Sequence, residues 1–133
     1  MTGANGFLGR HVVRALQAQG KQVRGLVRAL DDAGGLESVE LVEGDVTRPE
    51  TLGPAVAGAD AVIHLVAILQ GRPEEFDRVI GDGTRNLVEA AREAGVRRFV
   101  HISALGTNDE TRETVPYYRG KWTAEQAVLS SGV

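Results

Sequence analysis

Short apolar stretches rich in valine and isoleucine alternate along the chain with longer stretches whose apolar residues recur at helical spacing. This alternation is typical of strand–helix–strand units, in which helices cover both faces of a parallel sheet. It predicts an α/β fold with a doubly wound parallel sheet. The predicted strands are 22–27, 39–43, 60–66 and 98–103, and the predicted helices are 7–19, 49–57, 75–94 and 116–131.

Both ends of the sequence stop inside this pattern. In a strand–helix–strand unit a buried strand runs directly into the loop before the helix, yet only Met1 and Thr2 precede Gly3. At the other end the last predicted helix is followed by Val133, where a further strand would normally come. We therefore expect residues 1–133 to form one domain that lacks its first strand and a C-terminal substrate region.

Composition adds mainly exclusions. A formal charge of −3 with both signs interspersed, and no basic stripe with aromatics, argues against a nucleic-acid partner. The absence of cysteine excludes disulfides and thiol chemistry. No apolar run approaches the roughly 18 residues of a membrane helix, and no export signal is present, so the cytoplasm is the expected compartment.

A glycine-spaced loop opens the first predicted helix, with the sequence TGANGFLG at residues 2–9. Free backbone N–H groups and the helix dipole favour an anion at such a position. In a dinucleotide loop the first glycine permits a sharp turn, the second lets the backbone approach phosphate, and the third lets the helix pack closely. An ordinary glycine-rich turn is the alternative. The expected cofactor contacts here are Gly3, Asn5, Gly6, Phe7, Leu8 and Gly9.

Four further motifs follow this loop in order: G-D-V at 44–46, H-L-V-A at 64–67, the stretch from Asp82 to Ser103, and Y-Y-R-G-K at 117–121. Together they resemble the short-chain dehydrogenase/reductase superfamily, and most closely its extended and atypical members. These include epimerase/dehydratase-like proteins and relatives of the accessory dinucleotide-binding subunit of respiratory complex I. The resemblance covers essentially the whole chain and implies a Rossmann-type NAD(P)-binding domain.

The residue that ends the second strand of this fold meets the adenosine ribose, where an acid suits NAD and an arginine suits the 2′-phosphate of NADP. Here that residue is Arg28, with Arg10 as a second candidate cation, so NADP is favoured. Arg28 could instead lie at an ordinary surface turn. Asp31 and Asp32 could serve the ribose, which leaves NAD open.

The resemblance also assigns residues to the adenine and to the rest of the cofactor. Asp45 and Val46 would hold the adenine, although an aspartate at this position could equally cap the helix that begins near Pro49. The segment Leu65, Val66 and Ala67 would flank the cofactor. The histidines His64 and His101 show no metal-ligand spacing, and we expect them to be structural and at opposite ends of the sheet.

Tyr117 and Lys121 are four residues apart and share one helix face, so the ammonium could lower the pKa of the phenol. The resemblance implies that Tyr117 is the general acid/base and that Lys121 also holds the cofactor ribose. Ser103 is the candidate third catalytic group, but it lies one residue before the customary position, which Ala104 occupies. Thr107 or Asn108 could replace it, or the site could bind cofactor without turnover.

Two functions follow from the sequence. The first is an NAD(P)-dependent oxidoreductase or epimerase-like enzyme that acts on a small carbonyl or sugar-nucleotide substrate. The alternative is a non-catalytic NADP(H)-binding structural or sensor protein that resembles the complex I subunit. Pairing into a homodimer, or association with a larger complex, is an open expectation in both cases.

Overall fold

The computed structural model describes residues 1–32, 34–36 and 38–133, with Asp32 described by its backbone alone. The strands are β1 (Arg24–Val27), β2 (Glu40–Glu43), β3 (Val62–His64) and β4 (Phe99–His101). The helices are α1 (Phe7–Ala18), α2 (Gly53–Val56), α3 (Pro73–Phe76), α4 (Gly83–Glu93), α5 (Asp109–Thr114) and α6 (Pro116–Ser130). Short 3-10 turns span Leu30–Asp32 and Pro49–Thr51, and a π-helical segment, Asp77–Asp82, joins α3 to α4.

The sheet is parallel, as predicted. β1 pairs with β2, and β3 pairs with β4. Thr2 lies between the two pairs and bridges to both Leu26 and His64. Its backbone N–H donates to the carbonyl of Ile63 at 3.0 Å, while the carbonyl of Met1 accepts from the N–H of Leu26 at 2.8 Å. The spatial order is therefore β2, β1, Thr2, β3 and β4.

The predicted segments match the observed elements except in three places. The predicted helix 75–94 is divided among the end of α3, the π-helical segment Asp77–Asp82 and α4. The predicted helix 49–57 is divided between a 3-10 turn and α2, because Pro54 has no N–H to continue the hydrogen-bond ladder. The helix α5 was not predicted. The Asn108 side chain caps it by accepting hydrogen bonds from the backbone N–H groups of Glu110 and Thr111.

Apolar side chains are buried on both faces of the sheet. One cluster packs between the sheet and the helices α2 and α4, and its largest members are Leu26, Leu52, Val62 and Leu87. A second cluster packs under α1 and contains Ala4, Val13, Val23, Val27 and Leu36. The helices of the described residues include none with the length and apolar character needed to cross a bilayer.

Helix α6 packs closely against the π-helical segment because glycine stands at the contact. A Cβ atom on Gly120 would lie 2.9 Å from the carbonyl oxygen of Phe76. The Arg119 guanidinium also donates two hydrogen bonds to the Asp77 carboxylate, at 2.9 and 2.8 Å. A small cluster of Phe76, Ile80 and Ala124 fills the contact. These contacts fix the position of the helix that contains Tyr117 and Lys121.

Candidate functional site

The residues that the sequence singles out lie at one edge of the sheet. The glycine loop follows Thr2, Arg28 follows β1, and Asp45 follows β2. The segment 65–67 follows β3, and Ser103 comes two residues after β4. Because all strands are parallel, these positions share the carboxyl edge, where ligands bind in open α/β sheets.

The loop after Thr2 turns sharply into α1. Gly3 has a φ of +66°, and its carbonyl accepts from the N–H of Gly6 at 3.1 Å. Helix α1 begins at Phe7 with no capping side chain and no acidic residue in its first turn. Its first N–H groups therefore have no acceptor within the helix and can bind an anion. A Cβ on Gly9 would lie 2.0 Å from the Gly3 carbonyl oxygen, so only glycine fits there.

The other loop residues surround this anion site. Phe7 is 87% exposed and Leu8 is about half exposed, so both side chains are open to a ligand. The backbone carbonyl of Asn5 accepts a hydrogen bond from Nε of Arg10 at 2.9 Å. The dinucleotide loop therefore has accessible apolar side chains beside the uncapped start of α1.

Two arginine side chains lie near the end of β1. Arg28 is exposed at the end of β1, and a Cβ on Gly35 would lie 3.4 Å from the Nη1 atom of Arg10. The Arg10 guanidinium therefore reaches from the glycine loop toward the turn after β1. Asp31 is exposed in the same region, while the Asp32 side chain lies outside the described residues. Two guanidinium groups near this turn fit a phosphate-bearing ribose.

Asp45 forms a turn and does not cap the helical turn at Pro49, so that alternative is wrong. Its carboxylate accepts hydrogen bonds from the backbone N–H and the hydroxyl of Thr47, each at 2.8 Å. Burial alone would raise the pKa of Asp45, but these bonds and the charges of Arg48 and Arg28 lower it overall. Asp45 is therefore an ionised acceptor at the edge of the site.

Two apolar segments lie at this edge: Val46 after β2, and residues 65–67 after β3. Val46 is buried and belongs to the core, and its carbonyl accepts from the Asn86 amide at 2.9 Å. Leu65 lies directly against the loop, since a Cβ on Gly3 would lie 3.2 Å from the Leu65 Cβ. Val66 packs on the core, and Ala67 is exposed. Leu65 and Ala67 thus face the site more directly than Val46.

The two strand histidines are neighbours, and the expectation that they lie at opposite ends of the sheet is wrong. His64 and His101 pair across β3 and β4, and their rings stack with centroids 5.4 Å apart. Burial lowers the pKa of His64 to about 3 and that of His101 to about 4. The charge of Lys121 acts on both rings in the same direction. Both imidazoles are therefore neutral near pH 7.

Tyr117 and Lys121 share one face of α6, as the spacing predicts. Lys121 is only 3% exposed, and its Nζ donates to the Ile102 carbonyl at 2.7 Å. The same Nζ lies 6.0 Å from the centre of the Tyr117 ring. Burial, then the neighbouring Tyr118, raises the pKa of Tyr117. The expectation that Lys121 lowers this pKa is wrong for this arrangement, because the ammonium is hydrogen-bonded to the Ile102 carbonyl and not to the phenol.

The side chains considered for the third catalytic group are all hydrogen-bonded within the protein. The Ser103 hydroxyl donates to the Glu125 carboxylate, and the Thr107 hydroxyl donates to the Ala104 carbonyl at 2.9 Å. The Asn108 side chain caps α5. Sequence reasoning missed Glu125, although it stands four residues after Lys121 on the same helix face.

Sequence reasoning also missed two buried threonines. Thr2 and Thr84 contact the two ring nitrogens of His64, with oxygen to nitrogen distances of 2.6 and 2.9 Å. The three side chains come from the glycine loop, β3 and α4, and such a contact between distant segments has no sequence signal.

A parallel α/β sheet, an uncapped helix behind a glycine turn and a line of loops at the carboxyl edge define a dinucleotide-binding protein. A family model described as NAD(P)H-binding matches residues 3–133. The chain belongs to this NAD(P)H-binding family and is of the extended short-chain dehydrogenase/reductase type.

Known relatives agree with this assignment. Ceramide reductase of Caulobacter vibrioides is 40% identical over 98% of this chain and 41% of its own length. A short-chain dehydrogenase/reductase superfamily protein from Agrobacterium tumefaciens, solved with bound NAD, has a TM-score of 0.78 at 36% identity, covering 96% of this chain and 42% of that one. Triphenylmethane reductase of Citrobacter sp., solved with NADP(H), has a TM-score of 0.80 at 26% identity, covering 99% and 45%.

The chain thus spans about two fifths of the length of the curated relative it matches. The predicted NAD(P) cofactor is confirmed at the level of the family and of the nucleotides bound by similar structures. The glycine loop fits that cofactor physically, because Gly9 lets α1 pack closely on the Gly3 turn and the start of α1 has no capping side chain.

Proposed function

We propose that the protein is an NAD(P)-dependent reductase that acts on an apolar carbonyl compound, with Tyr117 as the proton donor. One observation supports this most: the Lys121 ammonium is buried at the carboxyl edge, directly after β4, and lies against the Tyr117 ring. A buried ammonium is costly unless it is paired, so its position beside a phenol at the cofactor edge indicates a chemical role.

The raised pKa of Tyr117 favours the direction of reduction. At neutral pH the phenol keeps its proton and can donate it to a developing alkoxide. The Lys121 ammonium lies 6.0 Å from the centre of the Tyr117 ring and is held there by the Ile102 carbonyl. When bound, a nicotinamide cofactor supplies the hydride. Asp45, Arg28 and the glycine loop bind and orient the nucleotide.

An apolar substrate fits the side chains around this edge better than a sugar nucleotide does. Leu69, in the loop after β3, is 81% exposed, and Leu105, in the loop after β4, is fully exposed. Ile102 is also exposed beside the Lys121 contact. Ceramide and triphenylmethane compounds, named as the substrates of two similar reductases, are large apolar molecules. Removing such surfaces from water would contribute to substrate binding.

The engaged hydroxyls of Ser103 and Thr107 favour the second candidate, a cofactor-binding protein without turnover. Substituting Tyr117→Phe separates the two. As a reductase, the protein should lose about 10²- to 10⁴-fold in kcat toward an apolar ketone, with its Kd for NADPH unchanged. Tyr118→Phe, the adjacent tyrosine, is the matched control and should keep both values. Absence of turnover in the parent protein, across steroid, long-chain and aromatic ketones, would favour the non-catalytic candidate.

A further inference from the structure

A continuous chain of hydrogen bonds runs through the buried centre of the molecule. The N–H of Leu65 donates to the Thr2 hydroxyl oxygen at 3.4 Å, and Thr2 Oγ1 lies 2.6 Å from Nδ1 of His64. On the other side of the ring, Nε2 lies 2.9 Å from Thr84 Oγ1, and this hydroxyl donates to the Ile80 carbonyl at 2.6 Å. His64 and Thr84 are fully buried, and Thr2 is nearly so.

The last bond in this chain fixes the direction of all the others. A carbonyl can only accept, so the single proton of Thr84 is given to Ile80. Thr84 must then accept from His64, and Nε2 carries the ring proton. In a neutral ring Nδ1 is left unprotonated, and it accepts the proton of Thr2. The chain therefore requires His64 to be the neutral Nε2–H tautomer.

Thr2 is the residue directly before Gly3, where the dinucleotide loop begins. Its side chain is held by β3 through His64, while its backbone bridges to both halves of the sheet. We propose that His64 is a positioning residue for the cofactor: its ring, oriented by Thr84, fixes the Thr2–Gly3 turn in the shape that presents the loop amides to the pyrophosphate. This role concerns cofactor affinity and is independent of proton transfer by Tyr117.

The surroundings of the ring favour the neutral form that the chain needs. His64 has no solvent exposure and faces the His101 ring, and the Lys121 ammonium acts on it as a positive charge. Burial and this charge both lower its pKa. An imidazolium here would carry a proton on Nδ1 as well, and this proton would reverse the bond to Thr2, whose hydroxyl oxygen already accepts from the N–H of Leu65.

The test uses Thr84, which touches neither the loop nor the cofactor edge. Thr84→Val keeps the volume but removes the hydroxyl, so the His64 ring loses its orientation, and we expect the Kd for NADPH to rise about tenfold. Thr84→Ser keeps the hydroxyl and should restore the parent Kd. Val56→Ala, a buried change in α2, is the matched control for lost stability and should leave the Kd unchanged. NADPH fluorescence titration measures all three.

The imidazole ¹⁵N shifts of the parent protein give a second, independent readout. We expect His64 to show a protonated Nε2 and a bare, hydrogen-bond-accepting Nδ1 from pH 8 to pH 5. A Nδ1–H tautomer, or titration of this ring above pH 5, would overturn the proposal even if Thr84→Val does not fold. Parent-like NADPH affinity in folded Thr84→Val would overturn it as well. Loss of turnover alone, with the Kd unchanged in Tyr117→Phe, bears only on the proposed function.

Discussion

The two halves of the candidate site are built by different physical means. At the glycine loop the constraint is steric: Gly9 has no room for a Cβ, and Gly3 needs a positive φ. At the opposite side, where α6 meets β4, the constraint is electrostatic, because Lys121 is a buried ammonium and Ser103 is paired with Glu125. The glycine loop already has the turn that its glycines allow, whereas Lys121 and Ser103 are hydrogen-bonded to other groups of the protein.

This contrast shows which half depends on a partner molecule. The first N–H groups of α1 have no capping side chain and no acceptor within the helix, so a ligand or water can bind them. On the side of Tyr117 the hydroxyls of Ser103 and Thr107 are already hydrogen-bonded, and the exposed side chains include the apolar Leu69 and Leu105. The cofactor half thus offers hydrogen bonds, while the substrate half offers apolar surface.

The largest effect is expected from Gly9→Ala, which attacks the steric half. The added methyl would meet the Gly3 carbonyl at 2.0 Å, so either the loop or the start of α1 must move. We expect a loss of at least about 100-fold in NADPH affinity, together with more than about 3 kcal/mol of unfolding free energy. Titration calorimetry and urea denaturation measure the two effects.

Gly53→Ala is the matched control for this change. A Cβ on Gly53 has nothing within 4 Å, and the residue begins α2 with ordinary helical geometry. Stability should stay the same or rise slightly, and cofactor affinity should be unaffected. Normal NADPH binding by Gly9→Ala would contradict the assignment of this loop to the pyrophosphate.

The same contrast explains how far the sequence can be interpreted. The parallel sheet, the glycine loop and the shared face of Tyr117 and Lys121 follow from local spacing, and the structure agrees with each. The direction of the Tyr117 pKa shift did not follow, because it depends on burial and on where the Lys121 ammonium finds an acceptor. Contacts between residues far apart in sequence, such as that of Thr2 with His64, are set by tertiary packing alone.

The second prediction concerns the buried His64, which lies between the two halves of the site, and uses the pH dependence of stability as its test. His64 stays neutral in the folded state down to about pH 3, whereas in the unfolded chain it binds a proton near pH 6.5. The unfolded state therefore binds more protons below pH 6.5, and stability falls as the pH falls. Between pH 6.5 and pH 5 we expect His64 to lower the unfolding free energy by about 1.5 kcal/mol.

Urea denaturation at four pH values in that range measures this slope. His64→Gln removes the titrating ring and should flatten the slope by the His64 share. An equal slope in His64→Gln and the parent would show that His64 is not held neutral in the folded state.

The third prediction concerns the choice of nucleotide by the cofactor half. Arg28 is exposed at the end of β1, and Arg10 reaches toward the same turn. If these cations bind a 2′-phosphate, Arg28→Ala should weaken NADPH binding about tenfold and leave NADH binding unchanged. Arg14→Ala, one turn after Arg10 on the same helix, is the control. Equal losses for the two nucleotides would place Arg28 away from the 2′ position.

The smallest effect is expected at Ser103, in the electrostatic half. Its proton is given to Glu125, so the hydroxyl is not free to donate to a substrate oxygen, and Ala104 occupies the next position. We expect Ser103→Ala to lower kcat by less than about tenfold, well below the loss expected for Tyr117→Phe. Glu125→Gln, which keeps an accepting oxygen, should behave like the parent. A loss in Ser103→Ala as large as that in Tyr117→Phe would show that the serine turns toward the substrate when one binds, and that the pairing with Glu125 belongs to the free protein alone.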